Sequence, residues 1–157
     1  MWCDWCAHER AHPKEVKIMP YLAGLPVPES HVDYEEFWQG CRRHELVIQR
    51  CKDCGWYRHY PRPLCPKCYS WNAEWSKVSG KGKVWSWTII THPIHPALDD
   101  MVPYNLVEIE LIEQEGLRLI SNLIDCKPEE IYIGMPAEVV FEEVNPEITL
   151  PRFKRTS

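Results

Sequence analysis

The chain has 157 residues, of which 45% are apolar, and a formal net charge of −5. This length fits one ordinary domain or two very small ones, and the negative charge argues against a protein that coats nucleic acid. No apolar run approaches the roughly 20 residues that span a bilayer, and no secretory signal is visible at the start. We therefore expect a cytoplasmic protein without membrane contact, in which paired cysteines are metal ligands before they are disulfides.

Residues 1–30 form the predicted N-terminal arm, which combines a Cys/His cluster with a proline-rich run. The side chains of Cys3, Cys6, His8 and His12 could hold a second zinc ion, because two histidines four residues apart can chelate from one helix face. The same cysteine pair could instead be redox-active. Both interpretations of the cluster stay open.

Residues 31–72 are predicted to form a helix followed by a zinc ribbon. Asp33 is the expected N-cap of a helix over residues 33–45, with Glu36 completing a capping box. A short strand over residues 46–50 follows. Four side chains with helical spacing predict one buried face of this helix: Tyr34, Phe37, Trp38 and Cys41. We therefore expect Cys41 to be a core residue and not a metal ligand.

The ribbon contains two C-x2-C pairs, Cys51 with Cys54 and Cys65 with Cys68. Each pair forms a tight knuckle that presents two thiolates to one tetrahedral ion. Gly55 after the first pair allows the positive φ that the turn requires. Four thiolates leave no open coordination position, so we expect one structural Zn²⁺ and no metal catalysis.

Residues 73–157 are predicted to be an OB-fold domain with a C-terminal tail, and the whole chain is expected to be mainly β. Turn signals at Gly80, Gly82 and Gly116 separate segments of apolar alternation. A single helical turn is predicted at residues 128–131. The five expected strands of a partly open barrel lie near residues 73–78, 83–91, 105–112, 117–124 and 137–144.

No self-sufficient active site is visible in the sequence. His92 and His95 could be metal ligands or an acid–base pair, but the flanking prolines favour a structural or partner-contact loop. Nucleophile-elbow, P-loop and dinucleotide patterns are absent from the sequence. We therefore predict no catalytic residue.

The order of these parts resembles a family of small acyl-CoA-associated proteins with a rubredoxin-like zinc ribbon followed by an OB-fold domain. The resemblance covers residues 31–153 and rests on the Phe-Trp helix, the ribbon and three later motifs: Ser79-Gly80-Lys81-Gly82, Gly134-Met135-Pro136 and Leu150-Pro151-Arg152-Phe153. It implies a non-catalytic accessory subunit of a thiolase-type enzyme, bound to a thiolase-fold catalytic subunit and helping to form the acyl-CoA site. The family's four metal-binding cysteines correspond to the ribbon cysteines.

The residues themselves are compatible with that role and with two others. The segment between residues 42 and 83 holds ten basic residues and only three acidic ones. This segment could bind the phosphates of coenzyme A, or it could be a solvated charged face. The candidate phosphate-binding residues are Arg58, Arg62, Lys81 and Lys83. Trp85 and Trp87, two apart on one face of a strand, could instead stack nucleic-acid bases. A redox or metal-handling protein built on the N-terminal cysteines is the third alternative.

Overall fold

A short helix opens the part of the chain that the computed structural model describes, residues 33–156. Helix α1 spans Glu35–Arg42 and buries the predicted face, including Phe37 and Cys41. Cys41 is thus a core residue, as predicted. The helix is shorter than the predicted 33–45.

The predicted capping box is wrong. Tyr34 is the N-cap residue and makes no side-chain capping hydrogen bond. The Glu36 carboxylate accepts a hydrogen bond from the Arg43 guanidinium at 2.9 Å, beyond the far end of the helix. It is therefore engaged in an ion pair along the helix.

The ribbon is built on a three-stranded antiparallel sheet. Strand β1, Val47–Cys51, lies in the middle, between β2, Tyr57–Arg58, and β3, Ala73–Lys77. The segment 73–78 was expected to begin the barrel, but all five residues of β3 pair with β1. That prediction is corrected: β3 returns from the second cysteine pair to complete the ribbon sheet.

A six-stranded sheet forms the OB-like part. Its strands are β4, Lys81–Ile90; β5, Tyr104–Leu111; β6, Arg118–Ser121; β7, Leu123–Ile124; β8, Pro136–Asn145; and β9, Ile148–Arg155. Their order in the sheet is β6-β5-β4-β8-β9-β7. The edge strands β6 and β7 are separated in sequence by Asn122 alone, so the sheet curls until its edges meet around a shared core without complete closure.

Strand β9 was not among the predicted strands, although it pairs with β8 over most of its length. Pro151 lies inside it, and proline inside a run argues against a central strand because it donates no hydrogen bond. Pro151 lacks an N–H, but its carbonyl accepts a hydrogen bond from the Ser121 hydroxyl at 2.7 Å. The fifth barrel strand is therefore β9, with β6 and β7 together as the third.

Ribbon, helix and barrel share one core. Helix α1 packs against β1 and β9, and Ile48, Phe37 and Phe153 belong to the same buried cluster. The Gln114 amide clamps the ribbon to the β5–β6 turn, accepting from the Tyr57 N–H at 2.8 Å and donating to its carbonyl at 3.2 Å. The ribbon is thus held directly on the barrel.

Two smaller expectations concern local structure and membranes. The predicted helical turn exists as a 3-10 turn over Pro128–Glu130. No helix among the described residues has the length and apolar character needed to cross a membrane. The division into segments 1–30, 31–72 and 73–157 stays a prediction.

Candidate functional site: a four-cysteine knuckle beside an apolar cleft

The four ribbon cysteines converge on one point. Their sulfur atoms all lie within 4.8 Å of one another, and the Cys51–Cys68 and Cys54–Cys65 Sγ pairs are each 3.6 Å apart. Four thiolates at about 2.3 Å from a tetrahedral zinc ion are separated by about 3.8 Å. The thiolate donor set and the spacing both fit one structural Zn²⁺.

The two knuckles share one backbone design. The residue after each pair donates its N–H to the carbonyl of the first cysteine at 2.9 Å: Gly55 to Cys51 and Tyr69 to Cys65. Both residues have positive φ, +75° for Gly55 and +59° for Tyr69. Glycine adopts this conformation without cost, whereas a bulky residue costs on the order of 1 kcal/mol.

Backbone dipoles prepare the thiols for a metal. N–H groups of the first knuckle, that of Cys54 foremost, lower the pKa of Cys51. Burial acts to raise the pKa of Cys65, but the N–H groups of Cys68 and Lys67 outweigh it and bring that pKa down to about 6. Thiolates are the form that binds zinc, so the backbone favours the liganding state at Cys51 and Cys65. Cys68 differs: a backbone N–H acts to lower its pKa, but the neighbouring thiols and burial raise that pKa to about 12.

The two other cysteines that the structure describes, Cys41 and Cys126, stand apart from this cluster. Burial raises the pKa of Cys41 to about 12, which fits an inert core thiol. Cys126 is buried, and its thiol faces the Lys127 carbonyl at 3.7 Å. The proposed second zinc set, Cys3, Cys6, His8 and His12, lies outside the described residues.

An apolar cleft of about 460 Å³ lies beside the ribbon, at its junction with the barrel. Ribbon and helix contribute a wall of rings, and strands from the barrel contribute the facing wall. Sequence reasoning missed this cleft because its walls come from segments that lie at least 46 positions apart in the chain, 106 minus 60. It is lined by Tyr34, Phe37, Trp38, His59, Tyr60, Leu106, Leu119, Ile120, Ser121, Asn122, Leu150, Pro151 and Arg152.

His59 lies in the aromatic wall of the cleft. Its ring centroid is 5.4 Å from that of Phe37 and 4.3 Å from that of Tyr60. Desolvation lowers the pKa of His59 from 6.5 to about 4. The imidazole is therefore neutral at physiological pH and belongs to the apolar wall.

The polar side chains of the cleft are held by their neighbours. Arg152 is buried, and its Nε donates to the Glu142 carboxylate at 2.8 Å, while another guanidinium nitrogen contacts Asn122. The Ser121 hydroxyl is donated to the Pro151 carbonyl. The cleft can accordingly bind an apolar group and offers no activated serine for chemistry.

The four predicted phosphate-binding cations differ in their surroundings. Arg58 is only 4% exposed, and none of its guanidinium nitrogens has a hydrogen-bond partner among residues 33–156. Lys83 forms an ion pair with the buried Glu110 at 3.2 Å. Lys81 and Arg62 are exposed. Contact with coenzyme A by any of them stays a prediction.

The predicted stacking face of Trp85 and Trp87 is wrong. A bulge between Val84 and Ser86 inserts an extra residue in β4. Trp87 consequently pairs with Val107, a buried core residue. Trp85 instead lies under the Arg118 guanidinium, 3.8 Å from its ring centroid, so the two rings lie on opposite faces of the strand.

The two histidines of the proline-rich loop are used locally. The Nδ1 atom of His95 accepts the Ala97 N–H at 3.2 Å and so caps the 3-10 turn at Pro96–Leu98. His92 Nδ1 lies 3.3 Å from the Thr91 hydroxyl. These contacts agree with a structural role for the loop.

With the geometry described, comparison with known proteins gives the family. Two protein-family models match the chain. The model of the rubredoxin-like zinc ribbon domain of ChsH2 matches residues 38–71, and the model of the C-terminal OB-fold domain of ChsH2 matches residues 75–142. A DUF35 domain-containing scaffold protein from Methanocaldococcus jannaschii is 40% identical over 65% of this chain and 71% of its own length. The chain belongs to the DUF35 family.

Two further relatives carry the names of enzymes. A chain from the structure titled Ltp2-ChsH2(DUF35) aldolase is 38% identical, with a TM-score of 0.73 over 82% of this chain and 98% of its own. The probable enoyl-CoA hydratase alpha subunit of Thermomonospora curvata is 39% identical over 82% of this chain. Our chain spans only 39% of that relative's length.

The ribbon predicts a metal-dependent fold. Cys65→Ser removes a buried thiolate, so we expect the bound zinc to fall by about one ion per chain relative to wild type, with loss of the cooperative unfolding transition. Cys126→Ser is the control, because this buried thiol lies outside the cluster, and it should keep the wild-type zinc content. Metal analysis of purified protein measures both, and a full zinc complement in Cys65→Ser would contradict the assignment.

The cleft predicts a pH dependence of stability. Because the folded-state pKa of His59 is lowered to about 4, the unfolded chain takes up a proton first on acidification, and stability falls as pH drops below about 6.5. Between about pH 7 and pH 5, the free energy of unfolding of His59→Leu should therefore decrease by about 2 kcal/mol less than that of wild type.

Denaturant unfolding in zinc-containing buffer measures this difference. Exposed His92→Gln serves as the control and should keep the wild-type pH dependence. An unchanged pH dependence in His59→Leu would show that His59 is not shielded from water.

Proposed function

We propose that this chain is a non-catalytic accessory subunit of a thiolase-type enzyme that cleaves or forms a carbon–carbon bond in an acyl-CoA. The catalytic subunit, of thiolase fold, supplies the nucleophile. This chain stabilises the complex and contributes part of the wall that receives the acyl group.

The observation that carries the proposal is the pairing of a closed metal site with an apolar cleft. Four thiolates satisfy a tetrahedral ion and leave no position for a substrate. The cleft, about 460 Å³ in volume, has aromatic and aliphatic walls, and its histidine and serine are respectively neutral and hydrogen-bonded. Such a surface can hold an acyl chain but supplies no chemistry of its own.

The relatives support the same role in general terms. One comes from a structure titled an aldolase, one is named the probable alpha subunit of an enoyl-CoA hydratase, and a third is named a scaffold protein. Aldolase and thiolase reactions both make or break the carbon–carbon bond between the α and β carbons of a carbonyl compound. We favour the thiolase-type enzyme on this shared chemistry and on the family resemblance of the ordered motifs.

Filling the cleft tests the acyl-binding part of the proposal. Ile120 lines the cleft and is exposed, so Ile120→Trp should fill space without unfolding the barrel. We expect the complex purified from the host to bind octanoyl-CoA or benzoyl-CoA at least tenfold more weakly, with little change for free coenzyme A.

Ile112→Trp is the matched control, because Ile112 is exposed on the neighbouring strand end and does not line the cleft. Calorimetric titration of both variants gives the comparison. Equal acyl-CoA affinity for wild type and Ile120→Trp would show that the cleft is not the acyl site.

A further inference from the structure

The second zinc knuckle exposes aromatic side chains that its own fold does not use. Tyr69 and Trp71 are each 72% exposed, and Leu64 is also exposed. A hydrogen bond from the Cys65 N–H to the Ser70 carbonyl, 2.9 Å long, closes the loop that carries Tyr69, and Leu64 and Trp71 flank the two ends of that loop. We call Leu64, Tyr69 and Trp71 the ribbon patch. None of them lines the apolar cleft.

The backbone of Tyr69 strengthens the case that this exposure is selected. Its φ of +59° corresponds to +75° at Gly55, the matching position of the first knuckle. Glycine is the residue that suits this conformation, and both residues make the same N–H to carbonyl hydrogen bond. The tyrosine therefore strains the knuckle while its ring contributes almost no burial to the fold.

The charges around the ribbon patch indicate what it contacts. Three exposed cations lie in the ribbon, Lys52, Arg62 and Lys67. Asp53 is the single acidic residue between positions 51 and 72, and Ser70 and Asn72 already hydrogen-bond its carboxylate. Four thiolates around Zn²⁺ add a net −2, and Asp53 adds −1. The four basic residues between positions 51 and 72 therefore leave this segment with a net charge of +1, on a chain whose net charge is −5.

We propose that the ribbon patch is the anchor by which this subunit docks onto its catalytic partner, in an apolar pocket with an acidic rim. Tyrosine and tryptophan are the residue types that dominate binding energy at protein interfaces, and a cationic rim adds steering by opposite charge. The inference rests on the proposed function and adds the surface and the chemistry of its counterpart.

Site-specific crosslinking in the full chain tests the contact. A benzophenone amino acid replaces Trp71 in the tagged protein in its native host, and in the control replaces Tyr132, an exposed tyrosine of the barrel. We expect position 71 alone to crosslink to the acyl-CoA enzyme subunit that co-purifies with the chain. A complex that forms without a crosslink at position 71 overturns the docking surface but leaves the proposed function standing.

Other crosslinks are equally decisive. A crosslink from position 71 to a second copy of this chain, or to RNA, overturns the docking proposal. A crosslink to a protein that is not an acyl-CoA enzyme contradicts the proposed function, while the surface remains an interface. If no complex and no crosslink form, both proposals fail.

Variants separate an anchoring role from a folding role. Tyr69→Gly relieves the positive φ, so its denaturation midpoint should equal or exceed that of wild type, yet its affinity for the purified enzyme subunit should fall about tenfold, or about 1.4 kcal/mol. Trp71→Ala should weaken binding similarly and Tyr132→Ala should not, and added salt should weaken wild-type binding. Loss of stability in Tyr69→Gly with unchanged affinity would assign Tyr69 to the fold instead.

Discussion

The convergence of four thiols is the constraint on which the rest of the structure depends. Without a metal, the ribbon is a small three-stranded sheet joined by a loop of 14 residues between β2 and β3, too little to fold by apolar burial alone. Zinc binding closes that loop and fixes the two knuckles relative to β1. Metal affinity in such ribbons is folding free energy.

The zinc ribbon also positions one wall of the apolar cleft. Strand β2 leads directly into His59 and Tyr60, and the Tyr57–Gln114 clamp holds that strand on the barrel. The rings of His59 and Phe37 lie side by side as a result. A site without chemistry can in this way determine the shape of a binding surface.

The zinc ribbon contributes to two separate surfaces, the apolar cleft and the ribbon patch. The cleft faces the junction of ribbon and barrel, whereas Tyr69 and Trp71 project from the second knuckle. In the account proposed here, one surface holds the acyl group and the other holds the enzyme subunit. Both depend on the zinc ribbon, so loss of metal should affect substrate binding and assembly together.

Some of this architecture could be predicted from residue spacing. The cysteine pairs predict the ribbon because only thiolates at that spacing reach one ion, and the apolar face with Phe37 predicts the buried side of α1. Strand β9 was missed because Pro151 breaks the pattern of a strand, and β3 was assigned to the barrel because alternation does not identify a partner.

Local sequence patterns could not predict the apolar cleft or the placement of Trp85 and Trp87 on opposite faces of β4. The cleft exists only where residues 34–60 meet residues 106–152, a contact set by tertiary packing. The bulge that separates Trp85 from Trp87 depends on the pairing of β4 with β5, and the sequence of one strand does not show it. Tyr69 did carry a signal, since it occupies the position that glycine holds in the first knuckle.

Reconstitution of the native complex tests the central claim, that this chain is needed for catalysis without performing it. The chain and its co-purifying enzyme subunit are separated, assayed alone for thiolytic cleavage of an acyl-CoA, and then recombined. The account predicts no turnover by this chain, little by the separated enzyme subunit, and recovery on mixing. Turnover by this chain alone, or full activity of the enzyme subunit without it, would contradict the account.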